Sequence, residues 1–358
     1  MEIDENKILF LAQITKKAGV AKKVQGLYNA AKNNGYDADY MNFKTVTELR
    51  RIILSTNAKY ILMRTVTYRN ACLFLSLLRA RNQGRILILD VPTPHRVYIN
   101  EVKMQNRPFV RRIAKCCLMY LNGPWSLWPF HRIIEYAEES SFFMIKNRSK
   151  TKVLGNGIDV SRVPLREKQY PDADHEIRLL AVASSISGWH GFDRVIKAMI
   201  EWEKMERKQR ITLDVVGSSD SIHAKNLMML AEKGGVSSFV RFHGFLSATE
   251  LQHLYSKDSL AVGSLGLYRI GLSTSSILKI REYCLAGIPF IAAGNDPDFK
   301  DDVPFRFLVS NDDKIDDIIS IFESFSSRRQ SFTDEEIRQY AIEYLSYNSK
   351  FKEIIRGL

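Results

Sequence analysis

The segment Arg269-Ile270-Gly271-Leu272-Ser273-Thr274-Ser275-Ser276-Ile277-Leu278-Lys279-Ile280-Arg281-Glu282-Tyr283-Cys284-Leu285-Ala286-Gly287-Ile288-Pro289-Phe290-Ile291 decides how the rest of the chain is read. Small hydroxyl residues lead into a short helical pattern, and a Gly-x-Pro turn stops it before an apolar strand. Such a loop exposes backbone N–H groups and a partial positive charge at a helix start, where an anion can sit. The spacing places Ser275, Lys279 and Glu282 near one face over the first two turns. A cation beside a phosphate, with a carboxylate one turn further on, suits a nucleotide whose ribose hydroxyls can be gripped. The plainer reading is a capped surface helix with a Lys/Glu pair. The surrounding chain has to choose between them.

Outward from this segment, apolar runs of strand length alternate with helical patterns. In the second half, strands over 177–183, 211–216, 239–242 and 260–262 alternate with helices over about 191–207, 222–233 and 248–255. In the first half, strands over 7–12, 38–43, 60–63 and 86–89 alternate with helices ending near Asn33 and over about 45–55 and 68–82. Alternation with short links means parallel sheets covered by helices. The expected organisation is an N-terminal domain over 1–165, a second domain over 166–333, and a helix over about 334–355, in the tail 334–358, that packs back on the first. Polar residues 166–176 read as the linker.

The loops expected after the second-half strands are rich in small residues: Ser184 to Gly191, Gly217-Ser218-Ser219, His243-Gly244 and Gly263 to Gly266. In a parallel sheet they share one edge, and several glycine loops meeting at helix starts make a site for a nucleotide diphosphate. In the first half, Asp90-Val-Pro92-Thr93-Pro94-His95 follows the fourth strand, where open α/β sheets collect ligands.

Charge is unevenly spread. Residues 1–165 carry 27 Lys+Arg against 12 Asp+Glu, a net of +15; the remainder carries 25 against 28, a net of −3, and together they make +12. The basic half points to an anionic partner. Between Lys103 and Arg132, basic residues interleave with Tyr120, Trp125, Trp128 and Phe130. That mixture suits a phospholipid surface or a helix packed by its aromatics with solvated cations. The aromatics lack the spacing of an RNA-binding platform, so nucleic acid is not the expected partner.

The chain of 358 residues is 45% hydrophobic and 26% charged, ordinary values for a globular protein. No apolar run is long enough to span a membrane. The acidic start Met1–Lys7 is not a signal peptide. Cys72, Cys116, Cys117 and Cys284 show no CxxC spacing and read as reduced core thiols of a cytoplasmic protein. Histidines show no HxxxH or HExxH pairing; Asp172/Asp174 sits in the linker, and Asp37/Asp39 at a strand start reads as solvated, so no metal site is expected. Neither GxSxG nor GxxxxGK[ST] occurs, which excludes an α/β-hydrolase elbow and a P-loop.

Ser276-Ile-Leu-Lys279-Ile-Arg281-Glu282-Tyr283-Cys-Leu-Ala286-Gly287-Ile-Pro289-Phe290 resembles the S-P-x-K-x-x-E-Y-x-A-x-G-x-P segment of retaining glycosyltransferases of family 4, with Ile277 at the usual proline. Trp189-His190-Gly191-Phe192-Asp193-Arg194 resembles the family's KGFDRLI, Asn156-Gly157-Ile158-Asp159 its N-G-I/V-D, and the Gly19 loop its first glycine loop. The resemblance runs in order over nearly the whole chain. It implies the GT-B fold, two Rossmann-like domains facing a cleft, and a nucleotide-sugar donor held by the second domain without a metal or cofactor.

The resemblance further implies that Glu282 holds the ribose hydroxyls. Lys279 and the Ser275 and Ser276 amides would face the diphosphate, with Arg194, Arg269 and Arg281 as helpers. Gly19 would approach the donor, and Trp189, His190, Gly217 and Ser218 would line the donor loops. His243 and Gly244 would meet the base, and His95 would stand near the reacting sugar. Two family features are absent: Thr274 replaces the first glutamate of E-x7-E, and Ser184 or Ser185 with His190 replaces the Arg/Lys pair that neutralises the diphosphate. The expected protein is a cytoplasmic or peripheral transferase of hexosyl or related groups. Its acceptor would be a saccharide or lipid-linked, as in bacterial-type surface polysaccharide assembly. The rivals are a nucleotide-sugar epimerase on the same fold and a non-catalytic binding module.

Overall fold

A computed structural model describes residues 2–13, 18–64, 70–91, 95, 99, 108–121, 123–137, 144, 146–167, 176–257, 259–300 and 302–358. The chain divides into two compact units, 1–157 with 347–358, and 158–346. The Pro92–Pro94 loop, Lys103, Arg107 and the Asp172/Asp174 pair lie outside the described residues.

The first unit runs β1 (Asp4–Ala12), α1 (Ala18–Asn33), β2 (Asp37–Asn42), α2 (Val46–Ser55), β3 (Ala58–Arg64), α3 (Asn70–Asn82), β4 (Ile86–Asp90), α4 (Phe109–Leu121), β5 (Arg132–Glu135) and β6 (Thr151–Val153). Its strands form one parallel sheet in the order β2-β1-β3-β4-β5-β6. Five successive buried residues end β1 because both of its faces are covered. Leu9 and Leu11 pack with α2 and α3, while Ile8, Phe10 and Ala12 pack with α1 and the C-terminal helix.

The second unit runs β7 (Glu176–Ser185), α5 (Phe192–Lys204), β8 (Arg210–Ser218), α6 (Ile222–Lys233), β9 (Val240–Gly244), α7 (Ala248–Lys257), β10 (Leu260–Val262), α8 (Leu278–Ala286), β11 (Phe290–Ala293), β12 (Arg306–Val309), α9 (Asp316–Arg329) and α10 (Asp334–Tyr340). The parallel order is β12-β11-β10-β7-β8-β9. The order reverses between β7 and β10, so the loops leaving these neighbouring strands carry the chain to opposite sides. The corresponding point in the first sheet lies between β1 and β3.

Three sequence expectations need correction. The helix expected over 334–355 is broken: α10 passes into a π turn at Ala341–Leu345, Ser346 is extended, and α11 (Tyr347–Ile355) then packs in the first unit. Ser346 leaves the helix because it bridges Ile158, whose N–H donates to the Leu345 carbonyl at 2.9 Å. The Gly217-Ser218 loop is instead the end of β8, with Gly217 pressed on the Ala183 carbonyl. Of the four cysteines only Cys284 is buried, and Cys72 and Cys117 are exposed.

Helix α11 is seated by Tyr347, whose ring lies against Gly26 of α1 and against Gly157. A Cβ at Gly26 would stand 2.2 Å from that ring. Gly26→Ala should therefore destabilise the protein by about 1–3 kcal/mol, the usual range for overpacking. Tyr347→Ala in the same chain should recover part of that loss. Urea denaturation of the two single variants and the double variant measures both; additive losses would show that the two positions do not meet.

Candidate functional site

A charge without a carboxylate partner among the described residues marks the candidate site. Lys279, in the first turn of α8, directs its ammonium to the Gly263 carbonyl (2.9 Å) and over the Phe192 ring (4.7 Å to the centroid). Among the described residues no carboxylate pairs with it. Burial alone pulls its pKa down to about 7. Beside it, His190 is buried, and its Nδ1 stands 3.0 Å from the Ser187 N–H and 3.2 Å from the Ser187 carbonyl; accepting from the N–H places the ring proton on Nε2. Burial first, and the Lys279 charge second, lower the His190 pKa to about 3, so this imidazole is neutral and a donor. The Trp189 ring lies 3.9 Å from it.

His190 sits on the loop that leaves β7, and Lys279 reaches from α8 to the loop that leaves β10, at the reversal point of the second sheet, where open α/β sheets bind ligands. The loops are stitched together by backbone. Leu265 N–H donates to His190 O (2.8 Å), and Gly266 N–H to Trp189 O (3.2 Å). A Cβ on Gly191 would stand 2.6 Å from Gly266 N, so this approach needs glycine. A cavity of ≈ 320 Å³ opens alongside, between α5 and α6. It is lined by Ile186, Ser187, Phe192, His223 and Asn226, and it is large enough for part of a small ligand.

The three arginines expected to help bind an anion are already committed. Arg194 is fully buried and donates to three carbonyls: Leu265 (2.6 Å), Ser310 (3.0 Å) and Lys314 (3.0 Å). Arg269 grips Asp193 through two bonds (2.7 and 2.8 Å) and also holds Gly188 O (2.8 Å) and Asp313 (3.0 Å). The hydrogen bonding it donates to Asp193 is the main reason that its pKa is raised. Arg281 is fully buried between Asp296 (2.8 Å) and Asp298 (2.6 Å). Burial works against its charge, and the two carboxylates override it and raise its pKa. All three hold loops in place.

The hydroxyl loop is also rearranged. Helix α8 starts at Leu278, three residues later than the spacing suggested, because Thr274 bridges Asn295 and the Ser275 N–H donates to Asn295 O at 2.9 Å. The Ser275 amide is therefore taken, and Ser276 stands before the helix. Lys279 and Glu282 also diverge. Glu282 faces Arg162 (3.5 Å) and raises the pKa of Tyr255, second to burial. His243 is held by the buried Asp214 through Nε2, and Gly244 follows it at the end of β9. Gly19 lies in the first turn of α1 rather than in a loop, and His95 is fully buried. No group of three His, Cys, Asp or Glu side chains suited to a metal converges among the described residues.

Sequence reasoning missed the charged cluster at the reversal point of the first sheet. Asp90, buried at the end of β4, takes Lys23 (3.0 Å) on one oxygen and Arg64 on the other. Burial would raise its pKa, but the two cations hold it below the ordinary carboxylate range. The readable signal was a charged residue closing an apolar strand, at Arg64 and again at Asp90.

No protein-family model and no curated protein matches the sequence. Solved structures do match along the whole chain. They include a glycosyltransferase from Rickettsia africae (12% identity, 99% of this chain and 100% of that one, TM-score 0.63). The apo form of the lipopolysaccharide outer core galactosyltransferase WaaB matches at 12% identity, over 98% and 99% of the two chains, with a TM-score of 0.65. Anabaena HepE in complex with UDP-glucose matches at 16% identity, over 98% and 100%, with a TM-score of 0.61, and that protein is also solved with UDP. These likenesses define the architecture: the chain has the GT-B fold of glycosyltransferases, two Rossmann-like parallel sheets flanked by helices.

The desolvated ammonium of the half-buried Lys279 has a consequence for stability. An unfolded lysine stays charged to about pH 10.5, whereas Lys279 in the fold loses its proton near pH 7. Between these values the unfolded state binds more protons, so the contribution of this residue to stability rises with pH. Lys279→Met should match or exceed the parent in melting temperature at pH 7, with the gap closing toward pH 10. Arg281→Met should lose about 3–5 kcal/mol, because it strands two buried carboxylates. Thermal melts across that pH range separate the two behaviours; a strongly destabilised Lys279→Met would show that the lysine is structural.

Proposed function

We propose that the chain is a glycosyltransferase that binds a nucleotide-diphosphate sugar in its second unit and transfers the sugar to a saccharide or lipid-linked acceptor. The observation that carries this reading is the uncompensated Lys279 ammonium beside the Nε2–H of His190 at the reversal point of the sheet. A diphosphate supplies the counter-charge this pair lacks, and it becomes the leaving group whose growing charge the same two donors stabilise. Glu282 takes the ribose hydroxyls, exchanging its loose contact with Arg162. His243, oriented by Asp214, and Gly244 meet the base.

Retention of configuration, independence from metal or cofactor, and hexosyl or related transfer in bacterial-type surface polysaccharide assembly complete the reading drawn from the family-4 resemblance. The basic first unit receives the acceptor, and its charge favours an anionic membrane surface at the cytoplasmic face. Among the described residues no helix is long and apolar enough to cross a membrane.

A non-catalytic nucleotide-sugar binder is the second reading, favoured by Thr274, which is tied into a bridge with Asn295 where the family carries a glutamate. Release of free nucleotide diphosphate from a panel of donors, only when acceptor is present, supports transfer. Turnover of the sugar without acceptor would indicate an epimerase, and binding without any turnover would indicate the binder.

Titration calorimetry with UDP-glucose tests the site directly, since the two phosphates of a nucleotide sugar do not titrate near neutrality. Glu282→Ala and Lys279→Ala should each lose about 1–3 kcal/mol of binding, the range for a charged hydrogen bond. Affinity should fall as pH rises from 7 to 9, because Lys279 must take up a proton to meet the diphosphate. Unchanged affinity in both variants would remove this site from consideration.

A further inference from the structure

Helix α4 is turned inside out. Phe109, Ile113 and Tyr120 recur at i, i+4 and i+11 with Val110 beside them, which makes one apolar stripe. On an ordinary surface helix that stripe faces the core. Here these four side chains are 67%, 46%, 54% and 76% exposed, while Lys115 on the other face is half-buried and Arg112, also half-buried, flanks the stripe 5.8 Å from the Phe109 ring. None of the described side chains of α4 is buried. Of the 17 large hydrophobics that are exposed among the described residues, seven lie between Phe109 and Trp128. Trp125 (47%) and Trp128 (57%) follow the helix directly and pack on Phe74 of α3, leaving part of each ring in solvent.

Charge narrows what covers this surface. From Val102 to Ile134 the sequence holds six Lys or Arg and no Asp or Glu. A second copy would bring the same positive charge and repel. An anionic bilayer satisfies all three features: acyl chains for the stripe, a negative surface for the basic stretch as a whole, and the headgroup level for the indoles.

We propose that α4, with Trp125 and Trp128, is a monotopic element that inserts its apolar stripe into the headgroup boundary of an anionic membrane. Its use in the reaction rests on the lipid-borne acceptor proposed above; the binding itself does not. Insertion gives a mode of attachment distinct from charge alone, so it should persist in part when salt screens the cations.

The test uses the full chain and vesicles made of equal parts phosphatidylglycerol and phosphatidylcholine, against vesicles of phosphatidylcholine alone. The expected result is co-sedimentation with the anionic vesicles, a blue shift of tryptophan emission, and partial retention in high salt. Phe109→Ser with Ile113→Ser should lower the bound fraction about fivefold or more, as loss of inserted area requires. Both positions are exposed, so circular dichroism and UDP-glucose titration should match the parent. Equal vesicle binding by the double variant overturns the proposal and leaves charge alone as the attachment. Dimeric parent and monomeric variant in light scattering, with vesicle binding unchanged, would assign the stripe to a second copy. Absence of vesicle binding with intact nucleotide-sugar binding refutes the membrane element alone, whereas absence of binding to every donor of the panel refutes the transferase reading and leaves the vesicle result standing.

Discussion

A single ammonium held without a counter-ion sets the terms for the second unit. Removing a charge from water costs several kcal/mol unless an opposite charge or hydrogen bonds offset it. Lys279 has one carbonyl and one aromatic face, and its depressed pKa records the deficit. A fold tolerates this only where the surroundings are too rigid to let the side chain swing out. That rigidity comes from backbone bonds between the β7 and β10 loops and from Arg194 and Arg269, which fasten the same loops to α5 and to the segment after β12.

The contrast with Arg281 shows why location alone does not make a binding group. Two residues along the same helix, Arg281 is more deeply buried than Lys279, yet it is saturated by Asp296 and Asp298. One cation closes a structure, and the other has a carbonyl and a ring but no carboxylate among the described residues. The same logic applies in the first unit, where Asp90 absorbs both Lys23 and Arg64, and on α4, where apolar side chains rather than charges stand exposed.

The alternation of apolar strands and helical patterns placed β1–β4 and β7–β11, because strands buried on both faces read as continuous apolar runs, as at Ile8–Ala12; β5, β6, β12, α4 and α9 were not read from it. The site was legible in part. Lys279, His190 and Glu282 stand in a recognisable order, and loops after parallel strands must share an edge. Arg194, Arg269 and Arg281 misled, because the aspartates and carbonyls that bind them lie up to 120 residues away in the chain. Ser275 misled for the same reason: Asn295 takes its amide and delays the helix.

The sequence by itself determined two parallel α/β sheets, the charge asymmetry between the halves, and the residue types gathered at the sheet edges. These follow from local periodicity and composition, which need no knowledge of partners. Tertiary structure alone decided which cations are satisfied, where α8 begins, why the C-terminal helix breaks at Ser346, and that the apolar stripe of α4 faces outward. Each of those outcomes depends on a long-range partner, or on the lack of one, and spacing along a chain does not encode the distance between residues that only folding brings together.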